Sequence, residues 1–345
     1  MNHPVFLAAD IGVTKTNICL YTFPGRLVAY SPPVQFRTAD FSGIEALVAQ
    51  FLGSRKLDLC FCVLGVPGPV DNGRAHITNL PWVLDEKKIQ SELNLRTVRI
   101  VNDLEATAYA LTELKFKDIF TLSAGKKKGK GNKAILAPGS GLGESFLTWD
   151  GATYASFASE GGHGDFAPNS KIECDLFEYL QKKYGHVSYE RVCSGQGIYN
   201  IYRFLKDQNH EKEPAWLTKE FKSAGTDPVP LIIETALNTE RECLICVKTI
   251  MIFSVILGAE AGNLGLRVLA KGGVYLGGGL SAKVLPFLKE KAFVQAYYQK
   301  GRMSGLIKEI PLHVITIPTA GLIGAALYGV VHYLSDCQKG KSGNV

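Results

Sequence analysis

Little in this 345-residue chain suits a secreted, membrane-spanning or fibrous protein. Met1-Asn2-His3-Pro4 carries no basic n-region, and Asp10 interrupts the first apolar run, so no secretory signal is expected. Long apolar runs are missing too. The most apolar window, Thr249 to Ala259, is too short to span a bilayer, and Glu260 and Arg267 then break it. Eight cysteines are scattered at 19, 60, 62, 174, 193, 243, 246 and 337. Only Cys243-Leu-Ile-Cys246 has metal-knuckle spacing, and no second CxxC or His pair accompanies it. Free thiols in a reducing, cytoplasmic setting are expected, with no membrane partner. Charge of one sign is scarce: 38 basic and 32 acidic residues leave +6. That surplus suits an anionic small-molecule substrate and is too small to argue for nucleic acid. The densest cationic stretch, Lys126-Lys127-Lys128-Gly129-Lys130, lies in a Gly-rich loop without interleaved aromatics and reads as solvated.

What is present is an ordinary globular balance, 46% hydrophobic and 20% charged, on a chain long enough for two domains or one large α/β unit. The 36 glycines are clustered rather than scattered. Val5 to Ala9 reads as a strand, Asp10-Ile-Gly-Val-Thr14 as a turn, and Ile18 to Phe23 as the returning strand of a hairpin. Leu59 to Val66 is a buried strand stopped by Pro67-Gly-Pro69. Thr97 to Val101 is another, followed by a helix with Leu104, Ala108 and Leu111 on one face. The opening pattern then returns: Ala134 to Ala137 is apolar, Gly139-Ser-Gly-Leu-Gly143 turns, and Ser145 to Trp149 is extended. This hints at an internal duplication. Residues 210 to 230, with Pro214, Pro228 and Pro230, read as a surface excursion. A long helical pattern from Ile232 to Leu269 leads to a strand, Gly273 to Leu276, and a third glycine turn, Gly277-Gly-Gly279. Thr319-Ala-Gly321 introduces a closing helix, Leu322 to Leu334.

Three glycine turns that each end a buried strand point to a phosphate-bearing ligand. Glycine lets consecutive backbone N–H groups approach an anion without an intervening side chain. Neither a GxxxxGK[ST] loop nor a dinucleotide fingerprint is present, since Gly139-x-Gly141-x-Gly143 has the wrong spacing and opens a hairpin. Asp10 is either an Asx-turn residue or a carboxylate beside phosphates, able to hold Mg²⁺ directly or through water. Asp103, after Asn102, is either a helix N-cap or an acid positioned to take a proton from a hydroxyl at a strand end. Glu160-Gly-Gly-His163 and Glu190-Arg191 lie in turn-like surroundings. Each alone suits a solvated loop; with Asn102 they form the set of donors and acceptors that sugar hydroxyls need.

Taken together, these stretches resemble the bacterial-type glucokinases of the hexokinase–actin–heat-shock ATPase superfamily. The resemblance is carried by Asp10-Ile-Gly-Val-Thr14, Gly65-Val-Pro-Gly-Pro69, Thr78-Asn-Leu-Pro-Trp82 and Val101-Asn-Asp-Leu104. Further on it is carried by Ala137-Pro-Gly-Ser-Gly-Leu-Gly143, Glu160-Gly-Gly-His-Gly-Asp-Phe-Ala-Pro168, His186-Val-Ser-Tyr-Glu-Arg-Val192 and Gly272-Gly-Val-Tyr-Leu-Gly-Gly-Gly279. It implies an α/β, actin-like (ribonuclease H-like) two-domain ATPase fold with mixed sheets. The small α/β domain would comprise 1–113 plus 318–345 and the large one 114–317. The implied reaction is ATP-dependent phosphorylation of D-glucose at its 6-hydroxyl, giving glucose 6-phosphate and ADP for glycolysis, in a cytoplasmic homodimer. By position, Asp103 would be the catalytic base. Asn102, Asp103, Glu160, His163 and Glu190 would contact the sugar. Ala9, Asp10, Ile11, Gly12, Val13 and Thr14, with Gly139, Ser140 and Gly141, would hold phosphates. Gly277, Gly278 and Gly279 would lie against the adenosine, and Asp10 would hold Mg²⁺ through water. Two positions depart from the family pattern: Val13 stands at a usual glycine, and Ser140 at a common threonine. No Cys-rich zinc motif of the related ROK kinases follows the Glu160–His163 element, so His163 is read as a sugar-pocket residue.

Overall fold

The computed structural model describes residues 3–342 apart from 56, 78–79, 127–129 and 225–226. Thr78 and Asn79 of the Thr78–Trp82 motif, and Lys127 to Gly129 of the cationic loop, therefore lie outside the described residues. Two compact units result. The first comprises Met1–Lys115, Tyr154–Ala158 and Ile317–Val345; the second comprises Phe116–Thr153 and Ser159–Thr316. The stretch Tyr154–Ala158, expected with the larger unit, groups with the first.

In the first unit, β1 (Val5–Ile11) and β2 (Lys15–Thr22) form the expected hairpin, closed at Ile11 opposite Thr16. The sheet also holds β3 (Val28–Ala29), β4 (Val34–Arg37) and β5 (Leu59–Val66). A separate three-stranded sheet is made by β6 (Val70–Asp71), β7 (Arg74–His76) and β8 (Val83–Asp85). The strand β9 (Val98–Asn102) completes the main sheet, whose order is β3-β2-β1-β5-β9, with β4 also on β2. Alternation along β1 explains its central place. Leu7, Ala9 and Ile11 join one apolar cluster, while Phe6 and Ala8 join another on the opposite face. The first face is covered by the helix Ile44–Leu52 through Ile44, Leu47, Val48 and Phe51. The second is covered by the closing helix, Ala320–Ser342, through Leu322, Ala325 and Ala326.

The second six-stranded sheet repeats this order. Its strands are β10 (Ile119–Ser123), β11 (Lys133–Pro138), β12 (Leu142–Trp149), β13 (Tyr154–Ser159), β14 (Val274–Leu276) and β15 (Leu312–Ile315). They lie in the order β10-β15-β14-β11-β12-β13. In both sheets the hairpin is antiparallel, and the next two pairings, β1–β5–β9 and β11–β14–β15, are parallel. The second sheet differs by adding β10, antiparallel to β15. Shared topology is stronger support for duplication than the weak sequence echo.

Three sequence expectations need correction. Residues 210 to 230 contain the helix Ala215–Ala224 and begin another, Pro228–Leu237, with Pro228 at its first position, where a missing N–H costs nothing. The helical pattern from Ile232 to Leu269 is broken, and its second half is Leu244–Arg267, capped at Cys243. That 24-residue helix is long and apolar enough to cross a membrane by length and composition, but 67% of its most apolar window is buried within the protein. Glu260, fully buried on it, donates no apolar surface and is paired with Arg267 at 2.6 Å. Among the cysteines, 19, 62, 174, 193, 243 and 246 are free thiols, whereas Cys60 is disulfide-bonded, against expectation.

The closing helix meets the helix Asp103–Ala110 through glycine. A β-carbon on Gly324 would lie 2.1 Å from the Ala106 carbonyl oxygen, closer than packed atoms allow. For Gly324→Ala, overpacking of roughly 1–3 kcal/mol should outweigh the ~1 kcal/mol of helix propensity gained. Urea unfolding should show a net loss of stability; a variant as stable as the parent would mean that these helices separate freely.

Candidate active site

The first unit gathers its polar groups at the carboxyl ends of three parallel strands. Asp10 on β1 is in register with Gly65 on β5, and Gly65 with Val101 on β9, one residue before Asn102. Asp10 was expected to end its strand, but β1 runs on to Ile11, and the turn is Gly12-Val13-Thr14. Gly12 donates its N–H to the Lys15 carbonyl at 2.9 Å, and a β-carbon there would lie 2.8 Å from that oxygen. Thr38 anchors the turn, its hydroxyl donating to the Gly12 carbonyl at 2.7 Å and its N–H to Thr14 at 3.1 Å. Val13 has no positive φ, so the glycine usual at this position is not needed for the backbone conformation. Its side chain is half-buried.

At the end of β9 the expected cap is displaced by one residue. Asn102, not Asp103, caps the helix Asp103–Ala110, its Oδ1 accepting from Leu104 N at 3.0 Å and Glu105 N at 3.1 Å. Its Nδ2 donates to the Gly68 carbonyl at 3.1 Å, which ties down the Pro67-Gly-Pro69 turn. Asp103 is thereby the first helical residue, with Oδ1 accepting from Leu104 N at 2.7 Å. It lies in a dense recess with part of its surface open. Burial, and after it the charge of Asp10, push its carboxyl up to about 7. Burial also raises Asp10, opposed by a hydrogen bond from Asn17. Gly321, at the start of the closing helix, lies against the Asp10 carboxylate, and a β-carbon there would be 2.7 Å from Oδ2. A deeply set carboxylate whose charge is offset by no cation among the described residues is a donor suited to Mg²⁺.

The second unit gathers the other expected residues. The Gly139 to Gly141 turn closes on itself, Gly139 N donating to the Gly141 carbonyl at 2.8 Å. Gly195, the first residue of the helix Gly195–Asp207, donates to the Gly139 carbonyl at 2.8 Å. Ser140 is exposed on the turn. Gly277 N donates to the Leu136 carbonyl at 2.9 Å, and Gly278 has φ 75° with a β-carbon position 2.6 Å from the Pro138 oxygen. The third glycine turn therefore lies against the second, and only glycine fits there. A β-carbon on Gly279 would meet nothing within 4 Å.

Glu190 is held at the same turn: its Oε2 accepts from Leu142 N at 3.0 Å, and a β-carbon on Gly141 would sit 2.5 Å from that oxygen. Glu160 precedes and His163 ends a single 3₁₀ turn, Gly161–His163, and their side chains are exposed, with His163 Nε2 and Glu160 Oε2 3.8 Å apart. Tyr189 N donates to the Gly164 carbonyl at 3.0 Å, joining the Glu160–His163 turn to the Tyr189–Arg191 turn. Sequence reasoning missed two residues here. Gly321 was read only as a helix start, and Glu144, the residue after the second glycine motif, was passed over although a lone acid on a buried strand is itself a signal.

The family model described as Glucokinase matches residues 7–332. The chain belongs to the glucokinase family. It is 38% identical over 340 residues to the glucokinase of Trichormus variabilis, covering 94% of this chain and 98% of that one. Among solved structures, a glucokinase from an Antarctic psychrotroph superposes with a TM-score of 0.79 at 28% identity, over 95% and 99% of the two chains. A ROK family glucokinase from Streptomyces griseus, in complex with glucose and AMPPNP, does so with 0.58 at 19%, over 93% and 98%. These neighbours give the fold as that of the glucokinases and ROK sugar kinases, actin-like and α/β with mixed sheets.

An acid whose pKa is raised by folding stabilises fully below its unfolded value, and that stability is lost as pH rises to the folded value. For Asp103 the window runs from near 3.8 to about 7. Asp103→Asn should therefore be more stable than the parent at pH 8, by on the order of 1–3 kcal/mol, with the gap closing toward pH 4. Denaturant unfolding at both pH values measures it. A gap that is absent or independent of pH would remove the strained carboxylate from the account.

Proposed function

We propose that the protein transfers the γ-phosphoryl group of ATP to the 6-hydroxyl of D-glucose in the cytoplasm, with Asp103 as the base. The observation that carries this reading is the Asp103 carboxyl at the first position of its helix, raised to about 7. A base must be ionised at working pH yet basic enough to take a hydroxyl proton, and a value near neutrality meets both demands. The O6–H proton passes to Asp103 as the O6–phosphorus bond forms and the bond to the β-phosphate oxygen breaks, releasing ADP. Family membership and an AMPPNP complex of the Streptomyces enzyme support ATP as donor.

Asn102, Glu160, His163 and Glu190 serve as sugar contacts. The N–H groups from Ala9 to Thr14 and from Gly139 to Gly141 serve the phosphates, and Gly277 to Gly279 lie along the adenosine. Phosphoryl transfer needs mostly positioning and charge neutralisation, which such N–H groups supply. Bound Mg²⁺, held by Asp10 through water, would neutralise charge on the β- and γ-phosphate oxygens.

ADP release measured with glucose, mannose, N-acetylglucosamine and no sugar tests the reading; turnover fastest with another sugar, or equal without sugar, would overturn it. Asp103→Ala should lower kcat by on the order of 10²–10⁴. In the parent, kcat should fall on the acid side of about 7, where Asp103 takes up its proton. A kcat flat from pH 5.5 to 8 would remove Asp103 from this role. Val13→Gly should cost roughly 0.5–1 kcal/mol of stability and change kcat/KM for ATP little. A gain of tenfold or more, about 1.4 kcal/mol, would instead mean that Val13 crowds the donor.

A further inference from the structure

Behind the Glu160–His163 turn lies a buried polar cluster that the proposed reaction does not use. Glu144, on β12, is 2% exposed, and its Oε1 has no hydrogen-bond partner. Its Oε2 is 3.8 Å from Arg267, which donates to Glu260 Oε1 at 2.6 Å. Asn263 donates to Glu260 Oε2 at 2.9 Å and to the Tyr189 hydroxyl at 3.0 Å. Two buried carboxylates thus share one guanidinium, and no cavity-filling apolar side chain takes their place.

The cluster touches both turns that carry the proposed sugar contacts. Gly161 lies directly on Glu144, since a β-carbon there would be 2.1 Å from Oε2. Gly162 lies equally close on the Leu142 carbonyl oxygen, at 2.1 Å. The N–H of the same Leu142 holds Glu190 at 3.0 Å, and Tyr189, beside Glu190, reaches the cluster through Asn263. The first residues of β12 are therefore a ledge on which both turns rest.

We propose that Glu144 is a positioning residue for the sugar, bracing from behind the turns that carry Glu160, His163 and Glu190. The inference rests on the reading of those three residues as sugar contacts. The brace is also sensitive to pH. Burial first, then Glu260, with Arg267 opposing, push the Glu144 carboxyl up to about 7. The charged and titratable groups around the cluster are Glu260 and Arg267 on the long helix, Tyr189 and Cys193 near the second turn, and Glu173 and Lys300 beyond them. Above neutrality Glu144 becomes a second negative charge beside Glu260, and repulsion works against the close contact with Gly161.

The test is glucose affinity by calorimetry, together with steady-state kinetics from pH 6 to 9. The parent should show KM and Kd for glucose rising above pH 7, while the kcat change assigned to Asp103 lies on the acid side. Glu144→Gln keeps the shape without the charge and should flatten the alkaline rise at least threefold. Glu144→Ala removes the brace and should raise glucose KM about tenfold at every pH, with kcat within twofold. Should Glu144→Ala fail to fold, the pH profile of Glu144→Gln decides. An alkaline rise unchanged in Glu144→Gln, or parental glucose affinity in a folded Glu144→Ala, would overturn the inference while leaving glucose turnover intact. A parent that binds no glucose would overturn the functional reading and this inference with it.

Discussion

At the candidate site and in the cluster behind it, three carboxylates crowd the place of a neighbouring glycine's missing β-carbon. Asp10 lies under Gly321 at 2.7 Å from that position, Glu190 under Gly141 at 2.5 Å, and Glu144 under Gly161 at 2.1 Å. Any larger residue at these positions would have to displace a carboxylate. The same glycines that open backbone N–H groups to a ligand thus also admit the acids behind or beside them. This close approach fixes where the strands may end. β1 must deliver Asp10 to the start of the closing helix, and β12 must begin at the residue that holds Glu190 and supports Gly162.

Much of the candidate site's local geometry was legible in the sequence because it lies in short segments whose chemistry is local. The Gly12 turn, the Asn102-Asp103 pair and the Glu160–His163 turn were found by residue type and neighbourhood alone. Roles within them were harder to read. Which of Asn102 and Asp103 caps the helix depends on one residue of register, and β9 runs one residue further than its apolar pattern suggested. Glu144 was passed over because its meaning comes from Glu260 and Arg267, more than a hundred residues away in the chain. The helices within 210–237 were obscured by prolines that in fact occupy a helix start, a position that composition does not distinguish from a loop.

The two units also share an electrostatic pattern. In each, a carboxyl is held near neutrality by burial and by a second carboxylate: Asp103 with Asp10, Glu144 with Glu260. Both arrangements lower folding stability at neutral pH, which apolar side chains of similar size would not do. Only the second includes a cation among the described residues, Arg267. The first has no such counter-charge, so its two carboxyls lie in the more electronegative surroundings.

The closing helix has a consequence for how the chain is made. It covers one face of the first sheet, where Phe6, Phe61 and Val63 are wholly buried, yet it follows some two hundred residues of the second unit. At synthesis rates of about 5–20 residues per second, that interval lasts roughly 10–40 s. Throughout it, the emerging first unit carries an uncovered aromatic and aliphatic sheet face, while the second unit can finish folding ahead of it. The order of completion is thus the reverse of the order of translation, and the earliest-made part of the chain is the last to bury its apolar surface.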